Sequence, residues 1–133
     1  MSPPAVEASN LPPQSVLVLD DDRFMLEMLT DMLAELGGFT VFTESDARRA
    51  LAALPRCRPE VLICDLVLPG MDGIEFLQAA ASQGFAGKVI LLSGTDPGVR
   101  DAASELARVL GLNVTGSFRK PIAPDQLRRA VSS

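Results

Sequence analysis

Four places in this chain carry side chains whose chemistry makes sense only if they meet. Asp20-Asp21-Asp22 follows the apolar run 16–19, Asp65 follows the apolar run 61–64, Ser93 follows 89–92, and Lys120 stands just beyond 114–118. Brought together, three carboxylates repel one another by about 4 kcal/mol per pair at ~4 Å and an effective dielectric of about 20. An ammonium can neutralise one of them. A hard divalent cation can bridge them through oxygen, and Mg²⁺ (or Mn²⁺) suits a site with few protein ligands and several waters. Such a cation also draws in a phosphoryl group and neutralises its oxygens. A carboxylate can then attack phosphorus to give an aspartyl phosphate, with Ser93 and Lys120 holding the phosphoryl oxygens.

The elements that would position these groups can be read from periodicity. Each apolar run is too short for a helix and lacks alternation, which predicts a strand buried on both faces. Between them, Met25, Leu29, Met32, Leu33 and Leu36 recur at helical spacing over 23–36, with Gly37-Gly38 as the stop. A strand is expected over 39–43, then a short helix capped by Ser45, with Ala47, Ala50, Leu51 and Leu54 on one face and Pro55 as its boundary. Asp72 and Glu75 form a D-x-x-E capping box for a helix reaching about Gln83. A helix over 97–110 turns Val99, Ala103, Leu106 and Leu110 inward, and Pro124 opens a last helix over 124–132. Apolar strands alternating with helices predict a parallel, doubly wound (βα)5 sheet, for which the order 2-1-3-4-5 is the common solution at this size. In that topology the site lies at the carboxyl ends of the strands, where Asp20-Asp21, Asp65, Ser93 and Lys120 all fall.

Composition excludes several alternatives. At 133 residues, with 47% hydrophobic and 22% charged residues, the chain reads as one soluble domain: an arm over 1–14 expected to be disordered, then a folded unit over 15–133. The absence of histidine removes a His-based triad, a His-ligated zinc site and a phosphohistidine of its own. A net charge of −5 and few clustered cations argue against direct nucleic-acid binding. No apolar run is long enough to span a membrane, and MSPPAVEASNLPPQ has neither a basic region nor an apolar core, so a cytoplasmic location is expected. Cys57 and Cys64 then read as free thiols.

Taken together, VLVLDDD, ICDLVLPGMDG, LLSGTD and FRKPI, in that order, make residues 15–131 resemble the receiver domain of two-component response regulators, the CheY-like form of the flavodoxin-like fold. The resemblance implies a phospho-accepting switch that catalyses only its own phosphorylation and dephosphorylation and is not otherwise an enzyme. Asp65 would be the phosphoacceptor, with Ser93 as switch hydroxyl and Lys120 as the phosphoryl-binding lysine. Asp21, Asp65 and the backbone carbonyl of Val67 would ligate Mg²⁺, Asp20 would hold a metal-bound water, and the Lys120-Pro121 peptide would be cis. The implied partners are a sensor histidine kinase or histidine phosphotransfer protein, and an output domain or effector reached through the face of the fourth helix, fifth strand and fifth helix; homodimerisation stays open. Val67 and Thr95 would flank the path of hydrolytic water, and exposed Arg100, Glu105 and Arg108 would present the fourth helix to partners.

Two features depart from the common pattern. Ser117 stands where many receivers place a mobile aromatic ring, three residues before the lysine, while Phe118 faces the other way by strand alternation. The segment from Ser93 to Lys120 is longer than in compact receivers by roughly a helical turn. Its ASELARVLGLNVTGSFRKP is similar to receivers joined to EAL-type cyclic-di-GMP phosphodiesterase domains. With no output domain in its 133 residues, the chain reads as a single-domain regulator or a piece of a longer protein. Competing readings are a receiver-like adaptor working without phosphorylation, an aspartyl-phosphate-type small-molecule phosphatase, and an FMN binder. The phosphatase needs a second aspartate where Val67 stands, and three acids would repel the FMN phosphate.

Overall fold

The structure is a computed structural model that describes residues 14–94 and 97–133. Almost the whole proposed N-terminal arm and Thr95 lie outside the described residues, and Gln14 is already the first residue of a strand. In chain order the elements are β1 (Gln14–Leu19), α1 (Arg23–Leu36), β2 (Phe39–Glu44), α2 (Ala47–Cys57) and β3 (Val61–Asp65). They continue with α3 (Gly73–Ser82), β4 (Lys88–Ser93), α4 (Pro97–Val109), β5 (Asn113–Arg119) and α5 (Pro124–Ser132). All strand pairings are parallel and the sheet order is β2-β1-β3-β4-β5, as expected. The chain moves outward from β1 to β2 through α1, then returns past β1 to β3 through α2. That reversal opens a crevice between the carboxyl ends of β1 and β3.

Strand alternation divides the core between two faces. Leu17, Leu19, Leu62, Cys64, Val89 and Leu91 meet α2, α3 and α4 through Ala50, Phe76, Leu77 and Ala103. Val16, Val18, Val61, Ile63, Ile90 and Leu92 meet α1 and α5 through Leu29, Leu33, Leu127 and Ala130. β1 and β3 are therefore covered on both sides, which is why they read as unbroken apolar runs. Each fully buried Leu or Ile stabilises the fold by about 1.5–3 kcal/mol, so the central strands are the rigid frame of the crevice.

The capping box of α3 forms as expected: Asp72 Oδ1 accepts from the Glu75 N–H at 2.8 Å, and Glu75 Oε1 accepts from the Asp72 N–H at 3.4 Å. Asp72→Ala should therefore cost about 1 kcal/mol in urea unfolding. Phosphorylation, followed by intact mass, should be unaffected. Gly73, the first residue of α3, is needed for close approach: an added Cβ would lie 2.6 Å from Leu66 Cα, while its N–H donates to the Leu66 carbonyl at 3.0 Å. This contact anchors the chain immediately after Asp65.

Four local expectations are corrected. Asp46, not Ser45, caps α2, because its carboxylate accepts from the Arg48 N–H. Pro55 lies inside α2 instead of ending it. Proline removes the bond that the Leu51 carbonyl would receive, and Gln83 Nε2 supplies a replacement at 3.1 Å. In α4 the buried face is Ala103, Ser104 and Ala107, with Val99 39% exposed and Leu106 and Leu110 at the boundary. Small side chains let α4 sit close on the sheet, so the larger ones are displaced to the rim. Arg100, expected to be exposed, is half-buried.

Candidate phosphoacceptor site

Each chemical residue stands where a strand ends. Asp20 follows β1 directly and is fully buried; Asp65 and Ser93, the last residues of β3 and β4, are 3% and 2% exposed. Lys120 follows β5 and reaches back across the crevice: its Nζ lies 2.7 Å from Asp20 Oδ2 and 3.0 Å from Asp65 Oδ2. One ammonium, carried by a strand that β4 separates from β3, is thus shared by two buried carboxylates at the ends of the adjacent strands β1 and β3. Asp21 remains exposed, yet carboxylate oxygens of Asp20, Asp21 and Asp65 lie within 4.8 Å of one another.

The remaining oxygens are held by local backbone. Asp20 Oδ1 accepts from the Asp22 N–H at 2.9 Å, and Asp65 Oδ1 accepts from the Val67 N–H at 3.1 Å. Asp22 turns away from the cluster to cap α1, accepting from the Phe24 N–H at 2.9 Å. The three adjacent aspartates therefore divide into an ion-pair member, an exposed cluster member and a helix cap. The Asp22 cap was not singled out in the sequence, although an aspartate one residue before a helix is its ordinary signal.

Electrostatics at the site follow from this burial. Desolvation raises the pKa of Asp65 above the usual aspartate value, with the Val67 N–H and Lys120 pulling the other way. Burial pulls Lys120 down, but its contacts with Asp20 and Asp65 outweigh this and leave it raised. Burial, followed by the charge of Asp65, pushes the Cys64 thiol up, so it stays protonated and unreactive and donates to the Asp65 carbonyl at 3.3 Å.

The ends of β4 and β5 are joined above the site, where the Lys120 N–H donates to the Ser93 carbonyl at 2.7 Å. The Ser93 hydroxyl is buried and has no hydrogen-bond partner among the described residues. The Lys120–Pro121 peptide is cis, as the resemblance implied. Phe118 is partly buried against the core cluster that includes α5, and both Ser117 and Phe118 line a cleft with Arg100 of α4. The structure thus brings together Asp20, Asp21, Asp65 and Lys120, with Ser93 on the same rim. Val67, 66% exposed, stands at the mouth.

The donor set fits a hard divalent cation: among the described residues the cluster consists of carboxylate oxygens alone, with the Lys120 ammonium as the cation paired to them. Among the described residues no helix is long and apolar enough to cross a membrane.

Comparison with known proteins agrees with this geometry. Residues 16–132 match the family model of the response regulator receiver domain. The chain is 34% identical over 114 residues to the cyclic di-GMP phosphodiesterase RocR of Pseudomonas aeruginosa, covering 85% of this chain and 29% of that protein. It is 35% identical over 117 residues to the probable transcriptional regulatory protein TcrX of Mycobacterium tuberculosis, covering 86% of this chain and 47% of that protein. The chain therefore spans less than half the length of either relative. Among solved structures, a response regulator from Colwellia psychrerythraea superposes with a TM-score of 0.77 at 33% identity, covering 90% of this chain and 94% of that one. The chemotaxis protein CheY4 of Vibrio cholerae gives 0.75 at 28% identity, covering 90% and 97%. With the strand order, the acid cluster and the lysine already in place, the chain belongs to the response regulator receiver domain family, the phospho-accepting switches of two-component signalling.

Proposed function

We propose that Asp65 is the phosphoacceptor and that Asp20, Asp21, Ser93 and Lys120 serve its phosphorylation. The observation that carries this reading is the placement of one strand-end carboxylate, Asp65, within 3.0 Å of Lys120 and within 4.8 Å of two further acids. The Asp65 carboxylate attacks phosphorus of a phosphohistidine on a kinase or phosphotransfer partner; a P–O bond forms as the P–N bond breaks. The departing imidazole keeps the electron pair. Lys120 is placed to meet the incoming phosphoryl oxygens, and the unpartnered Ser93 hydroxyl gains an acceptor. Asp21, Asp65 and the Val67 carbonyl would hold Mg²⁺, with Asp20 reaching it through water; the ion supplies charge neutralisation for the phosphoryl oxygens.

The test is incubation with acetyl phosphate, with and without Mg²⁺, read by intact mass. One added phosphate is expected only with the divalent cation, and Asp21→Ala should raise the Mg²⁺ concentration required. Metal-independent phosphorylation would remove the assigned role of the acid cluster.

Lifetime supplies a second check. Val67 cannot orient a water by hydrogen bond, so self-dephosphorylation should be slow. Val67→Asn should speed the decay of the phosphorylated form; an unchanged decay rate would show that water access there is not controlling. The folded unit over 15–133 acts in this reading as a cytoplasmic switch. Its output leaves through α4, β5 and α5 to an effector or attached domain, and cyclic-di-GMP signalling is the output class suggested by the similarity to RocR.

A further inference from the structure

The sheet ends at β2, which pairs with β1 and has no strand partner on its outer side among the described residues. Phe42 of this strand lies opposite Leu17 in the register, therefore on the face covered by α2, and is 38% exposed. The two helices that flank this edge carry opposite charge. On one face, α1 bears Glu27, Asp31 and Glu35 against a single Arg23; on the other, α2 bears Arg48, Arg49 and Arg56 and no acid. Glu27 and Asp31 line a groove of about 640 Å³ together with Thr43 and Glu44 of β2, so they stand on the open side of α1. Arg49 reaches Glu44 of β2 at 3.2 Å, which marks the open side of α2, and Arg56 follows two turns further along that side. Glu27, Asp31 and Arg56 are exposed and form no ion pair among the described residues.

We propose that this edge is the interface of a homodimer in which the acidic side of α1 on each copy meets the arginine side of α2 on the other. The charges select the symmetry. A twofold axis along the sheet normal would set α1 against α1 and α2 against α2, acid on acid and arginine on arginine. A twofold axis along the strands exchanges the faces of the sheet and keeps each residue at its own height, so α1 meets α2 twice. The heights agree. β1 and β2 end level, with Leu19 opposite Glu44, and α1 and α2 begin four and three residues later. At about 1.5 Å per residue, Asp31 lies about 12 Å along α1 and Arg56 about 14 Å along α2, while Glu27 at about 6 Å comes near Arg49 at about 3 Å. Asp31 and Arg56 are thus the principal pair, formed twice in each dimer, and the same approach covers Phe42. Attraction between exposed charges is weak and screened by salt, so the dimer belongs to high protein concentration and low salt.

The experiment is sedimentation equilibrium of the chain over a range of concentrations, at ionic strengths of about 0.01 M and about 1 M, where the screening length is about 30 Å and about 3 Å. A monomer–dimer equilibrium that stops at two copies is expected, and high salt should dissociate it. Asp31→Arg and Arg56→Glu each set like charges opposite one another at both contacts and should weaken the dimer about tenfold. They should do so although they shift the net charge of −5 in opposite directions, and both side chains are exposed, so folding is preserved. The double variant Asp31→Arg/Arg56→Glu restores opposite charge with the signs exchanged and should dimerise like the native chain. An equimolar mixture of the two single variants should form heterodimers by the same logic. In ¹⁵N-labelled protein, dilution should shift resonances of α1, β2 and α2. A chain still monomeric at about 1 mM in low salt, a dimer indifferent to salt or to both single variants, or a double variant no better than the single ones would overturn the proposal. Growth beyond two copies, or dilution shifts confined to α4, β5 and α5, would overturn it as well.

Discussion

Asp65→Asn should abolish phosphorylation by acetyl phosphate, so that intact mass shows no added phosphate where the native chain takes up one. An amide oxygen is a poor nucleophile and cannot yield the acyl phosphate product. No other carboxylate in the site can replace it easily. Asp20 is tied to Lys120 at 2.7 Å and to the Asp22 N–H at 2.9 Å, and Asp21 lies exposed at the edge of the cluster. The variant should remain folded, because Lys120 keeps its contact with Asp20 and burial already disfavours ionisation of Asp65. Phosphorylation of the variant at the native rate and stoichiometry would move the acceptor to another residue.

Lys120→Ala should be the most destabilising single change in the site, by about 3–5 kcal/mol in urea unfolding without Mg²⁺, because it strands two buried carboxylates beside each other. Asp20 and Asp65 each use one oxygen for Lys120, and the backbone donors on the other oxygens cannot neutralise two charges. Mg²⁺ should restore more stability to this variant than to the native chain, since the ion would take over the neutralisation. The sign of the pH dependence follows from the raised pKa of Lys120. Its contribution is fully present below the ordinary lysine value of 10.5 and is lost as pH rises through the higher folded-state value. A loss of less than about 1 kcal/mol in Lys120→Ala would mean that the crevice admits enough water to screen the pair.

The sequence by itself determined the frame and the candidate residues that the frame brings to one rim. Runs such as 16–19 and 61–64 read as strands covered on both faces, the Asp72–Glu75 box announces the start of α3, and alternation of strand and helix favours the β2-β1-β3-β4-β5 sheet. Given that sheet, the residue that follows each apolar run must stand on one rim, so Asp20, Asp65, Ser93 and Lys120 were legible as one constellation. These are local patterns, and local patterns survive folding. What the tertiary structure alone decided depends on partners distant in sequence. Pro55 stays inside α2 because Gln83, on the neighbouring helix, satisfies the carbonyl that proline orphans. In β5 the register slips opposite Val89 and Ile90, so that Val114 and Gly116 face consecutive residues of β4. Helical spacing alone showed several apolar residues on α4, yet close packing on the sheet selected Ala103 and Ala107 for burial. The same packing drew Arg100 inward, and the division of labour among Asp20, Asp21 and Asp22 depends on where Lys120 arrives from β5. Periodicity reports which face of an element is apolar; which atoms finally touch is set by strand register and by the distance at which helix and sheet pack.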